Sequence, residues 1–130
     1  KIMSTKTKSE LQVVTAAKNL CSYVLIATNK SPKCFRFTLV SRLQNLTLNI
    51  IENIYRANEI FVQSKNLQNM QKRLEFQHSA LTDVKILAYI SLLAREQGCI
   101  LPKQYEQICK LASDCQYLLG AWIKSDKRYF

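Results

Sequence analysis

Apolar side chains along this chain recur at steps of three and four, the spacing that sets them on one face of an α-helix. In a first segment, about residues 9–28, Leu11, Val14, Cys21, Val24, Leu25 and Thr28 share such a face, with Ser9 as N-cap and Glu10 in the first turn. Asn29-Lys30-Ser31-Pro32 ends it, because the residue before a proline avoids helix and proline lacks a donor. A second segment, about 38–63, carries Leu39, Leu43, Leu46, Ile50, Ile54, Ala57 and Phe61, with Thr38 as N-cap, before the polar break Ser64-Lys65-Asn66. A third, about 67–97, carries Leu67, Met70, Leu74, Leu81, Val84, Ala88 and Leu92, with Gln77 or His78 filling the gap, and Gly98 standing where a C-terminal glycine belongs. A fourth, about 102–124, opens on Pro102 and carries Tyr105, Ile108, Ala112, Cys115, Leu119 and Trp122; a basic tail, 125–130, follows.

Four helices joined by short links predict one all-α domain over 1–130, an antiparallel up-down-up-down four-helix bundle. Two stretches exceed what such a bundle needs. Tyr23–Ala27 and Ile86–Ala94 are apolar nearly all round the helix. A chain of 130 residues has no deep interior to hide a second apolar face, so these segments predict a homo-oligomer.

Composition narrows the field. Two glycines and two prolines, against an average of about nine and about six for this length, disfavour a turn-rich β fold or a glycine-loop phosphate site. No run of 18 apolar residues and no apolar leader stand in the sequence, so no membrane partner is expected. The five cysteines, an odd number without a Cys-x-x-Cys pair, read as reduced thiols of a cytoplasmic protein, several of them serving as small core groups. Cys34 and Cys99 fall in links that share one end of the bundle, but two thiolates do not close a zinc site, and neither a metal nor a cofactor is expected.

Catalysis finds little support. The single histidine, His78, has no motif around it; there is no Glu-x-x-His, no His-Glu-x-x-His and no Walker loop. The acids Glu52, Glu59, Glu75, Glu96 and Glu106 lie off the predicted stripes, so no inward carboxylate pair is expected, and the chain reads as a non-enzyme.

Charge is the strongest clue. Nineteen basic against nine acidic residues give +10, and the 41 residues from Leu11 to Ile51 hold no acid at all. Lys30, Lys33, Arg36 and Arg42 crowd the first link, interleaved with Phe35 and Phe37, and Arg95 and Lys103 join them from the third link. Lys85 stands mid-helix, off the apolar stripe. Lys65, Lys72, Arg73, Lys124, Lys127 and Arg128 gather at the other end. This exceeds what solubility requires, and a phosphate backbone is the natural partner, bound by counterion release without base reading. RNA, and also DNA, are the expected ligands.

Pro32-Lys33-Cys34-Phe35-Arg36-Phe37-Thr38-Leu39, then Arg42-Leu43-Gln44-Asn45, Tyr55-Arg56-Ala57-Asn58-Glu59 and Leu118-Leu119-Gly120-Ala121-Trp122-Ile123-Lys124 resemble the accessory variability determinant of diversity-generating retroelements. That family lies within a larger set of bacterial four-helix-bundle proteins, some encoded in ribosomal RNA inserts. The resemblance implies a homopentameric barrel that binds template RNA and a reverse transcriptase and supports mutagenic retrohoming without itself being the catalyst. It carries over to Lys33, Arg36 and Arg42, to Lys85, and to Gly120 and Trp122 as helix-packing positions, Gly120 admitting a close neighbour helix. The alternative is a non-enzymatic scaffold of the ribosomal-insert branch. Leu46-Thr47-Leu48-Asn49-Ile50-Ile51-Glu52-Asn53 lacks the proline and glycine which that branch carries in its second helix, and so favours the retroelement branch.

Overall fold

The computed structural model describes residues 8–61 and 66–129. Four helices carry the fold: α1 (Lys8–Thr28), α2 (Ser41–Asn58), α3 (Leu67–Glu96) and α4 (Pro102–Asp126); the described residues contain no strand. α1 packs against α2 and α4, and α3 packs against the same two, which makes a four-helix bundle. Its centre is filled by fully enclosed Val13, Leu20, Leu43, Ile50, Leu87, Ile108, Leu119 and Trp122. By length and composition alone, Glu10–Thr28 is apolar enough to cross a membrane; in this fold it forms one wall of the bundle.

Local chemistry sets the helix ends. The Asn66 side chain caps α3, its Oδ1 accepting from the N–H groups of Gln68 (2.9 Å) and Asn69 (3.2 Å). At the far end of α3, Gly98 takes φ +80°, a left-handed conformation that costs glycine nothing, and the Cys99 N–H returns to the Ala94 carbonyl at 2.8 Å. Pro102 opens α4, and the Gln104 side chain accepts from the Leu101 N–H at 2.9 Å. The second segment departs from expectation. Thr38 is not its N-cap: the chain is already helical at Lys33, as a 3-10 turn over Lys33–Phe35 and a π-helical stretch over Arg36–Val40, and it runs on without a break into α2. Phe61, predicted to extend the apolar stripe, lies past the end of α2 and is exposed.

The third segment shows the largest correction. The residues it buries are Met70, Arg73, Gln77, Ala80, Val84, Leu87, Ser91 and Ala94, a run of alternating threes and fours that includes an arginine, a glutamine and a serine. Leu74, Leu81, Ala88 and Leu92, expected at the centre, are only half-buried on its flanks, and Leu67 is exposed. Arg73, expected among the basic surface groups, is 2% exposed. All five of its N–H donors are used. Nε and Nη2 hold the two oxygens of Asp126 at 2.6 and 3.1 Å, Nη2 also reaches Glu10 at 3.0 Å, and Nη1 donates to the carbonyls of Ala57 and Ile60 at 3.2 and 2.7 Å. The guanidinium lies 5.1 Å from the centroid of the Trp122 ring, and Gln77 Nε2 adds a bond to Asp126 at 2.8 Å. Burial works against the charge, but the hydrogen bonds and opposite charges of Asp126 and Glu10 outweigh it and hold the Arg73 pKa above its ordinary value. Inward carboxylates therefore do exist: Glu10 in the first turn of α1 and Asp126 in the last turn of α4 are both buried. They serve an ionic clasp that joins the starts of α1 and α3 to the ends of α2 and α4.

Candidate nucleic-acid interface

The opposite end of the bundle is built from the first and third links. The Ser31 hydroxyl donates to the Cys99 carbonyl at 2.7 Å, so the link after α1 lies on the link after α3. Gln44 Nε2 reaches back from α2 to Thr28 Oγ1 at 3.0 Å, and the Thr28 hydroxyl itself donates to the Val24 carbonyl at 2.8 Å. Phe35 turns inward and packs against the core, pinning the 3-10 turn whose N–H at Phe35 bonds the Pro32 carbonyl at 3.0 Å.

Upon this frame sit two adjoining clefts. The first, about 630 Å³, is bordered by Lys30, Lys33 and Arg36 together with the amides of Asn29, Gln44 and Asn45. The second, about 470 Å³, is bordered by Arg42, Thr38 and, from α3, Ile90. Phe37, Ser41 and Asn45 line both. Lys30, Lys33, Arg36 and Arg42 are all exposed, and none forms an ion pair among the described residues. The sequence-predicted cluster is therefore brought together at one corner. The amides that share its first cleft stand in the sequence only as parts of the first link and of the Arg42–Asn45 motif, with no binding role; their place beside the cations becomes visible only once the corner turns α2 towards the Lys30 link.

The other predicted positions distribute differently. Arg95 and Lys103 are exposed beside the third link, at the same end, but line neither cleft; the Arg95 guanidinium lies 5.5 Å from the Tyr105 ring centroid. Lys85 is exposed midway along α3 and also lines neither cleft. Lys65 and Phe130 lie outside the described residues, as does the Ser9 side chain expected as a cap. Trp122 is fully buried, as its place in the α4 stripe predicts. Gly120 is not a close-packing position within the chain: it is exposed, and a Cβ added there meets nothing within 4 Å. Gly120→Ala is therefore expected to raise the chain's stability by about 1 kcal/mol, read by urea denaturation, because alanine removes a mid-helix glycine penalty without a clash. A loss of stability accompanied by a fall in assembly mass would mean that another protomer approaches this face.

All five cysteines are free. Cys21, Cys99 and Cys115 are buried as small core groups, and Cys34 is exposed at the basic corner. Burial, with a smaller push from the Asp114 charge, raises the Cys115 thiol to about 12. Burial also raises the Cys99 thiol, and the neighbouring Ser31 hydroxyl works in the other direction. Among the described residues, no group of three or more His, Cys, Asp or Glu side chains converges to hold a metal, and His78 is exposed on α3.

No protein-family model matches this chain, and no curated protein matches it either.

Proposed function

We propose that this protein is a basic helical adaptor that holds a ribose-phosphate chain against its first-link corner. The observation that carries this reading is the convergence of Lys30, Lys33, Arg36 and Arg42, exposed and without carboxylate partners among the described residues, around two polar clefts. Cations so arranged gain free energy from displacing condensed counterions, and need no base-specific contact to do so.

More particularly, we propose an accessory subunit of a diversity-generating retroelement, binding template RNA or cDNA together with the reverse transcriptase in the cytoplasm and acting through binding rather than catalysis. The Pro32–Leu39, Arg42–Asn45 and Leu118–Lys124 motifs support this, and the first two build the walls of the clefts. The reading takes the bundle as antiparallel up-down-up-down, in keeping with the clasp's union of helix starts and ends. It also takes the particle as a homopentamer, in keeping with the outward apolar side chains Ile26, Ile86, Tyr89 and Leu93.

The test is an RNA titration at several salt concentrations, on a sample whose mass is measured by light scattering. Affinity is expected to fall steeply, by about 10³-fold or more between 50 and 200 mM salt if about six phosphates are engaged across the particle, and the mass is expected to be about five protomers by the family resemblance. Absence of RNA binding, with a partner from cell extract that survives nuclease treatment, would favour the scaffold alternative.

A further inference from the structure

Phe37 is 86% exposed, more than any other large apolar side chain among the described residues. Its neighbour two positions back, Phe35, packs against the core. The π-helical stretch over Arg36–Val40 lies between this anchor and α2, and within it Phe37 is directed outward. A π turn inserted ahead of an α-helix is commonly a functional device, since it re-aims one side chain without ending the helix. Here it sets a bare ring on the ridge shared by the two clefts, with Arg36 and Lys33 on one side and Arg42 on the other.

A ring amid unpaired cations suits neither a duplex nor a purely electrostatic contact. Duplex bases are stacked on each other and offer no face to a side chain. A single strand offers both a phosphate chain for the arginines and an unstacked base for the ring. The amides of Asn29 and Asn45 border the same cleft and provide donors and acceptors next to a base edge. We infer that this corner selects single-stranded over double-stranded RNA, by stacking one unpaired base on Phe37 while Arg36 and Arg42 hold the phosphates on either side. This rests on the nucleic-acid reading above and deepens it.

The experiment compares the wild type with Phe37→Leu and Phe37→Trp on two probes: a short unstructured RNA carrying 2-aminopurine, and a blunt-ended RNA duplex of the same length. Circular dichroism and light scattering accompany each variant, and the exposed position leaves the core untouched. Wild type is expected to prefer the single strand and to quench the 2-aminopurine. Phe37→Leu is expected to bind the single strand about tenfold or more weakly, with the quench lost, duplex affinity unchanged and the salt slope unchanged, since no charge is removed. Phe37→Trp is expected to restore the affinity and the quench. If Phe37→Leu binds the single strand as wild type does, or weakens both probes equally, the inference fails while salt-dependent RNA binding still stands. If Phe37→Leu alters the assembly mass and leaves RNA affinity untouched, the ring is a protein contact and the inference fails in that way. If the wild type binds neither probe, the nucleic-acid reading itself is overturned.

Discussion

Arg73→Ala is expected to destabilise the fold by about 3–5 kcal/mol, the cost of stranding buried charges that have lost their partner. The change removes a guanidinium whose five donors are all engaged, leaves Asp126 buried without its counter-charge, and takes one ion pair from the buried Glu10. It also takes the guanidinium's bonds away from the Ala57 and Ile60 carbonyls and opens space under the Trp122 ring. A leftover carboxylate costs more than a missing contact, because its desolvation is no longer offset. Arg73→Met is expected to recover part of the loss by refilling the volume, and more of it when combined with Asp126→Leu, because the pair then leaves one buried charge fewer. Urea denaturation of these proteins and of the Asp126→Leu single variant checks this. Additive losses in the double variant would mean that Arg73 and Asp126 do not depend on each other. The Arg73 contribution should also be flat across the working pH range. Its pKa is raised on folding, so the stabilisation is complete below the unfolded value and is lost as the pH climbs from there through the folded one, at and beyond the pH at which arginine ordinarily titrates.

Reversing both Arg36 and Arg42 to glutamate is expected to reduce RNA affinity by about 100-fold or more at physiological salt, with helix content unchanged. Each arginine is exposed and forms no ion pair among the described residues, so the fold does not rely on either. Losing two phosphate contacts flattens the slope of log affinity against log salt by about 1.4 for a single strand, and the new carboxylates add repulsion to the loss. Lys85→Glu serves as the control for Arg36→Glu alone, a reversal of equal charge, since Lys85 stands midway along α3 and lines neither cleft; a lesser weakening is expected there. Equal weakening from Lys85→Glu and from Arg36→Glu would mean that binding follows overall charge and not a built site. Unchanged binding in the corner pair would remove the corner from the interface.

The segments that could be read in advance are those where packing uses only apolar groups. The α4 stripe from Ile108 to Trp122 is buried as its spacing predicts, and so is the α2 stripe from Leu43 to Ala57. The α3 register was illegible for a definite reason. A count of apolar positions cannot place Arg73, Gln77 and Ser91 at a core, because nothing local reveals that Asp126 and Glu10, more than fifty residues distant in each direction, come to meet the arginine. Only the unbroken alternation of threes and fours from Met70 to Ala94 marks that face, and it marks it whatever the chemistry of its members. The α1 face slipped for a simpler reason. Val13, Ala17, Leu20, Val24 and Ala27 carry the contact with α1's neighbours, two of them too small to stand out as stripe members, while Val14 and Leu25 look outward. At the corner, charge spacing alone located the cations. The exposure of Phe37 was not legible, since a π turn leaves no mark in the sequence that distinguishes it from the start of an ordinary helix.

The ionic clasp has an electrostatic corollary at long range. It gathers one base and two of the nine acids, an excess of one negative charge, at the end of the bundle remote from the basic corner. The whole particle still carries +10, but that excess is kept away from the corner, so a polyanion arriving there meets the cations first. A field of that kind acts before contact: it accelerates diffusional capture, so ionic strength should slow the arrival of a strand and not merely hasten its departure.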